Sequence, residues 1–160
     1  MKIALREARP VDYGFARQLF DATMRDRLAA IIGWDEYRQD MNFARKFILR
    51  EVRIVTLAGR DVGWIQTRIE DEVMNLLQFY ILPEWQNRGL GTLVLKRLLA
   101  EAKRRGKVMA LSVLKGSPAI QLYLRHGFRP THADAYEIYM RQALKLPRRG
   151  IGPSMGLRRG

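Results

Sequence analysis

The segment "EWQNRGLGTLVLKRLL", Glu84 to Leu99, sets two glycines at the mouth of the most regular helical pattern in the chain. Upstream, "VMNLLQFYIL" is an apolar run of strand length. Downstream, Leu90, Leu93, Val94, Leu98, Leu99 and Ala102 recur at helical spacing while Lys96, Arg97, Lys103 and Arg104 project elsewhere. Glycine costs up to ~1 kcal/mol relative to alanine in a helix, so Gly89 and Gly91 signal a demand on the backbone itself. A helix start without Cβ atoms turns successive amide N–H groups outward, and the macrodipole adds roughly half a positive charge there. Arg88 contributes a guanidinium and Thr92 a hydroxyl. Together these describe a cradle for a pyrophosphate. The spacing is neither the dinucleotide fingerprint nor a Walker loop, because one glycine pair is present and no Lys-Ser/Thr follows. Close helix packing is the other reason for two glycines, and the motif alone leaves both readings open.

The surrounding chain reads as a single mixed α/β unit. "KIALREA" alternates as an edge-type strand. Pro10 and Asp12 open a helix whose apolar positions are Phe15, Leu19, Phe20, Met24 and Leu28, and Asp35 starts a second helix with a stripe of Tyr37, Met41, Ala44 and Ile48. Three strands follow, divided at Gly59-Arg60-Asp61 and Glu70-Asp71-Glu72. After the glycine-turned helix, "KVMALSVL" is a buried strand. Ser117-Pro118 begins a short helix that Gly127 ends, and "FRPTHADAYEIYMRQAL" returns to strand. The order is β-α-α-β-β-β-α-β-α-β with a further strand at the end. Residues 1–144 form one domain, and 145–160 read as a flexible basic tail that offers little to bury.

A length of 160 residues suits one domain, and 48% apolar with 28% charged residues is ordinary for a globular protein. The absence of cysteine excludes disulfides and a thiol nucleophile and fits a reducing, cytoplasmic setting. Two histidines, His126 and His132, do not make a metal site. No apolar run reaches the ~20 residues of a membrane span. The net charge of +13 favours a polyanionic partner. Five basic residues in the tail and a phosphate-rich ligand account for part of it. Basic positions interleaved with exposed aromatics, zinc spacing and a helix-turn-helix are all missing, which speaks against nucleic acid.

"QFYILPEWQNRGLG", Gln78 to Gly91, resembles the acetyl-CoA-binding motif of the GNAT superfamily of N-acetyltransferases, and "VLKGSPAIQLYLRHGF", Val113 to Phe128, is similar to the strand-helix unit that follows it in that family. The resemblance covers residues 1 to about 144. It implies a mostly antiparallel sheet of six or seven strands flanked by about four helices, with a splayed parallel pair holding acetyl-CoA. It implies that Phe79, Tyr80 and Ile81 line the pantetheine arm, that Gln86, Asn87, Arg88, Gly89, Leu90, Gly91 and Thr92 wrap the pyrophosphate, and that Ser117 stands where the family often has asparagine. Tyr123 falls on the tyrosine that commonly protonates the departing thiolate, and a backbone N–H at Tyr80 or Ile81 would face the oxyanion. The implied reaction is direct attack of a neutral amine, from a small molecule or a peptide, on the thioester, with no metal. The resemblance also implies a homodimer as one assembly state.

The acceptor side is less legible. The central stretch offers Asn75 and Gln78 but no carboxylate, so no general base is assigned, and Glu70, Asp71 and Glu72 read as a solvated hairpin turn. In "GWDEY", Trp34, Asp35 and Glu36 are candidates to line the acceptor pocket and attract a cationic amine. A capping aspartate with a packing tryptophan is the plain alternative. Phe15, Phe20, Met24, Phe43 and Phe47 read as core. The missing carboxylate keeps open a non-catalytic acyl-CoA sensor on the same fold.

Overall fold

The computed structural model describes residues 2–143. The basic tail therefore lies outside the described residues. The elements are β1 (Ile3–Glu7), α1 (Tyr13–Ile32), α2 (Glu36–Lys46), β2 (Val52–Leu57), β3 (Arg60–Glu70), β4 (Val73–Ile81), α3 (Leu90–Arg104), β5 (Val108–Leu114), α4 (Ala119–Arg125), β6 (Phe128–Ala133) and β7 (Glu137–Gln142). The seven strands form one sheet in the order β1-β2-β3-β4-β5-β7-β6, so β1 is an edge strand as its alternation implies. Every neighbouring pair is antiparallel except β4 and β5.

Strand alternation sends residues to two faces, each covered by helices. On one face α3 buries Leu90, Val94, Leu95, Leu98 and Ala102 against Val55, Ile65, Met74 and Met109. Burying a leucine is worth about 2 kcal/mol, so this stripe fixes the helix on the sheet. On the other face Ala16 and Leu19 of α1 and Phe43 of α2 pack against Val52, Ile54 and Trp64. Arg6 joins β1 to the start of the first helical segment through two 2.9 Å bonds to the Asp12 carboxylate, which also accepts the Arg9 N–H at 2.7 Å. These donors hold Asp12 down at about 2, well below the ordinary carboxylate range.

Helix α2 turns the opposite face inward from the one its apolar spacing implies. Tyr37 is 74% and Met41 56% exposed, and Ala44 faces solvent as well. Gln39 and Phe43 are the buried positions. The aromatic cluster decides this rotation. Phe43 meets Phe20, Phe47 and Trp64 at ring separations of 5.2, 5.5 and 5.9 Å, an array that Met41 and Ala44 cannot replace.

Candidate active site

The parallel pair β4–β5 is hydrogen-bonded only from Val73↔Val108 to Leu76↔Leu111. Beyond that point both strands continue without each other. Residues 78–81 of β4 pair with β3, while Ser112, Val113 and Leu114 of β5 pair with β7. The divergence starts at a bulge. Gln66 faces Gln78 and Thr67 faces Leu76, which leaves Leu77 without a partner on β3. A bulged residue bends and twists its strand, and here the bend carries β4 away from β5.

The gap is lined by main chain. The Leu82 N–H donates to the Val62 carbonyl across β3 at 2.8 Å, so ladder alternation turns the amides of Ile81 and Phe79 toward the gap. The Ile81 carbonyl is taken by Gln86, whose Nε2 donates to it at 2.9 Å. Gln86 thereby ties the glycine loop to the end of β4. Within that loop Asn87 and Gly89 adopt left-handed backbone with φ of 60° and 80°. Asparagine tolerates this conformation and glycine accepts it freely. Backbone amides on either side of such residues form an anion-binding concavity, and α3 begins directly after it. The two glycines differ. Gly89 supplies the left-handed turn, whereas a Cβ at Gly91 would make only an ordinary 3.4 Å contact with Leu122 of α4.

A cavity of about 850 Å³ includes the gap. Phe79, Tyr80, Ile81, Gln86, Asn87, Gly89, Leu90, Gly91, Ser117 and Tyr123 all border it. Arg88 and Thr92 do not; the Arg88 guanidinium lies 5.1 Å above the Trp85 ring. Ser117 is buried, with its Oγ accepting the Ala119 N–H at 3.2 Å and receiving Arg27 of α1 at 3.4 Å from the opposite wall. Tyr123 is 7% exposed and packs edge-on to Phe128. Burial pushes its phenol up to about 12. The Tyr80 phenol is raised too, by burial and by the nearby Tyr123, and it donates to Gln78 Oε1.

Trp34, Asp35 and Glu36 are not brought to the cavity. Asp35 caps α2 by accepting the Arg38 N–H at 2.9 Å. Glu36 accepts the Trp34 indole N–H at 2.6 Å and pairs with Arg25 at 3.5 Å, and Arg25 stacks on the Trp34 ring. These side chains satisfy one another on the surface, which is the capping-and-packing alternative. Conversely, Phe20, Met24, Phe43 and Phe47, read from the sequence as core, also form cavity wall.

Glu137 is the residue that sequence reasoning missed. It begins β7 opposite Leu114, borders the cavity, and accepts a bond from Ser112 Oγ at 3.3 Å. In sequence it reads as an outward member of an alternating strand, since only the β5–β7 pairing carries it to the gap. The acidic turn at residues 70–72 stays outside the cavity, with Glu72 facing Lys107 at 3.7 Å.

A seven-stranded, mostly antiparallel sheet, split between its two parallel strands beside a glycine-turned helix start, is an acetyltransferase architecture. The chain belongs to the GNAT family: residues 46–130, just over half of it, match the acetyltransferase (GNAT) domain. An uncharacterised N-acetyltransferase of Methanocaldococcus jannaschii is 31% identical over 70 residues, a match covering 42% of this chain and 31% of that protein. Among solved structures, the PaiA N-acetyltransferase of Thermoplasma acidophilum in complex with coenzyme A superposes with a TM-score of 0.72 at 20% identity, covering 90% of this chain and all of the other. An acetyltransferase of Thermus thermophilus gives 0.66 at 20% identity, over 90% and 98% of the two chains. At these identities the likenesses speak to the fold.

Proposed function

We propose that this protein transfers an acetyl group from acetyl-CoA to a primary amine. The observation that carries the reading is the end of β4–β5 pairing at Leu76↔Leu111, with unpaired main chain beyond it and a left-handed glycine turn at its edge. The strand gap fits a pantetheine arm, because the amide and carbonyl of Phe79 and the amide of Ile81 are turned toward it as they would be toward another strand. The loop from Asn87 to Leu90 fits the diphosphate. When bound, acetyl-CoA would supply the acyl group already activated as a thioester.

The chain's own residues then have separable tasks. The Ile81 amide, aimed into the gap, stabilises negative charge on the carbonyl oxygen. Tyr123 holds a proton for the leaving sulfur. A phenol raised to about 12 is a weaker acid than free tyrosine, so the transfer depends on the sulfur being desolvated in the same apolar surroundings. Glu137, the carboxylate in the wall, attracts the ammonium, and the proton leaves to solvent before the neutral amine attacks. A cytoplasmic setting and a homodimer belong to this reading as expectations, the first consistent with a chain that has no cysteine. Among the described residues, no helix is long and apolar enough to cross a membrane.

Thermal shift with acetyl-CoA, CoA and short DNA tests the reading. Stabilisation by the first two and not by DNA is expected, since a ligand at a hundred times its Kd adds about 2.7 kcal/mol. Slow thioester hydrolysis that disappears in Tyr123→Phe supports a transferase. Binding with no turnover on any amine would instead favour an acyl-CoA sensor.

A further inference from the structure

The cavity extends beyond the strand gap. It also reaches the sheet face covered by α1 and α2, where Phe20, Phe43, Phe47 and Trp64 form an aromatic wall leading to the last turn of α2. Arg45 and Lys46 stand at that turn and border the cavity. Cations suit a helix C-terminus, which explains why they occur in this turn but not why they face a chamber. Neither forms an ion pair among the described residues, and the side chain of Arg45 bonds only to Asn42 Oδ1 at 3.3 Å. Arg68, a further cation in the wall, is already held by Glu51 through bonds of 2.7 and 3.0 Å.

Two buried donors border the same chamber without an acceptor in the protein: the Thr23 hydroxyl and the Trp64 indole N–H. Against these spare donors and cations, the lining among the described residues holds a single carboxylate, Glu137, on β7. A buried donor without an acceptor is costly, whereas Arg45 and Lys46 are exposed and solvated and act on the chamber through their positive charge. A ligand with positive charge at one end and oxygen-rich negative charge at the other would satisfy both walls.

We propose that the acceptor is a small primary amine that also carries an anionic group, carboxylate or phosphate, with its amine toward Glu137 and its anion toward Arg45 and Lys46. This rests on the acetyl-transfer reading above and specifies its substrate class. The aromatic wall suits a molecule that carries an apolar spacer between its anion and its amine.

Matched amine pairs that differ only in the anion test this: butylamine against 4-aminobutyrate, phenethylamine against phenylalanine, and propylamine against 3-aminopropylphosphonate. Two readouts are taken, thermal shift with and without CoA, and CoA release as kcat/KM. In at least one pair the anionic member is expected to bind and react at least tenfold better, and the phosphonate arm tells carboxylate from phosphate selection. In the double variant Arg45→Gln/Lys46→Gln, which changes two exposed side chains, that ratio should collapse toward one. Neutral members that match or exceed their anionic partners in all three pairs would overturn the proposal. So would a preference that survives the double variant, or the absence of any shift from every anionic amine. Failure of CoA and acetyl-CoA to stabilise the protein would instead remove the transferase reading, while amine binding measured without CoA still decides this one.

Discussion

The main chain of Gly63 lies so close to that of Tyr80 that a Cβ at residue 63 would stand 2.3 Å from the Tyr80 carbonyl oxygen. The same Cβ would meet Ile81 Cδ1 at 2.9 Å. Gly63 pairs with Ile81, so this close approach between β3 and β4 falls on the strand whose far side lines the gap.

Gly63→Ala should therefore push β4 away from β3. We expect a loss of about 2 kcal/mol of stability together with weakened acetyl-CoA binding, since overpacking against backbone cannot be relieved by a rotamer change. Chemical denaturation and CoA-dependent thermal shift measure the two effects. Unchanged values for both would show that the sheet yields at this point.

The glycines of the turn should respond differently from each other. Gly89→Ala forces an alanine into left-handed backbone, costs about 1 kcal/mol and reshapes the amide concavity, so CoA affinity should fall. Gly91→Ala meets only the flexible end of Leu122 and gains helix propensity, so stability should stay within about 1 kcal/mol. Titration calorimetry with CoA and urea melts compare them.

Tyr123→Phe should leave CoA binding within about twofold and lower kcat by about a hundredfold, the lower end of what a general acid supplies. Because burial raises the phenol to about 12, the wild-type protein keeps this proton across the usual assay range. A fall in kcat centred near pH 8 would thus have to come from another group. The pH profile of the wild type and the rate of the variant are the measurements.

Asp12 gives the fold an acid-sensitive anchor. Its folded carboxyl is held at about 2 against an ordinary value of 3.8, so its stabilising contribution is complete above 3.8 and is lost as pH falls through that value toward 2. Allowing for screening on the partly open Arg6 side, the contribution is about 1 to 2 kcal/mol. Asp12→Asn should lower stability by that amount at pH 7 and by much less at pH 2.5, as followed by urea denaturation at both values.

Substituting the surface triad tests its exclusion from the cavity. Glu36→Gln and Trp34→Ala should change stability modestly and leave the kcat/KM for the acceptor within about twofold. A tenfold loss would return the α1–α2 connection to the acceptor site.

Element order and the glycine turn were legible in the sequence because their signals are local. A left-handed turn at Gly89, the caps at Asp35 and Ser117, and the apolar spacing of α3 each depend on a few consecutive residues. The rotation of α2 was not legible. Its apolar stripe of Tyr37, Met41 and Ala44 is as good a helical pattern as the face that is buried, and only aromatic packing from α1 and β3 selects Phe43.

By itself, then, the chain's sequence determined the strands and helices, the glycine turn and the tyrosine that faces the gap, since backbone conformation and side-chain periodicity are written within each segment. Tertiary structure alone decided where β4 leaves β5, and that Glu137, Arg45 and Lys46 border one cavity. Those facts depend on a bulge at Leu77, on strand pairing between β5 and β7, and on helix rotation. Each joins residues distant in the chain, and no local pattern encodes which of the available partners packs best.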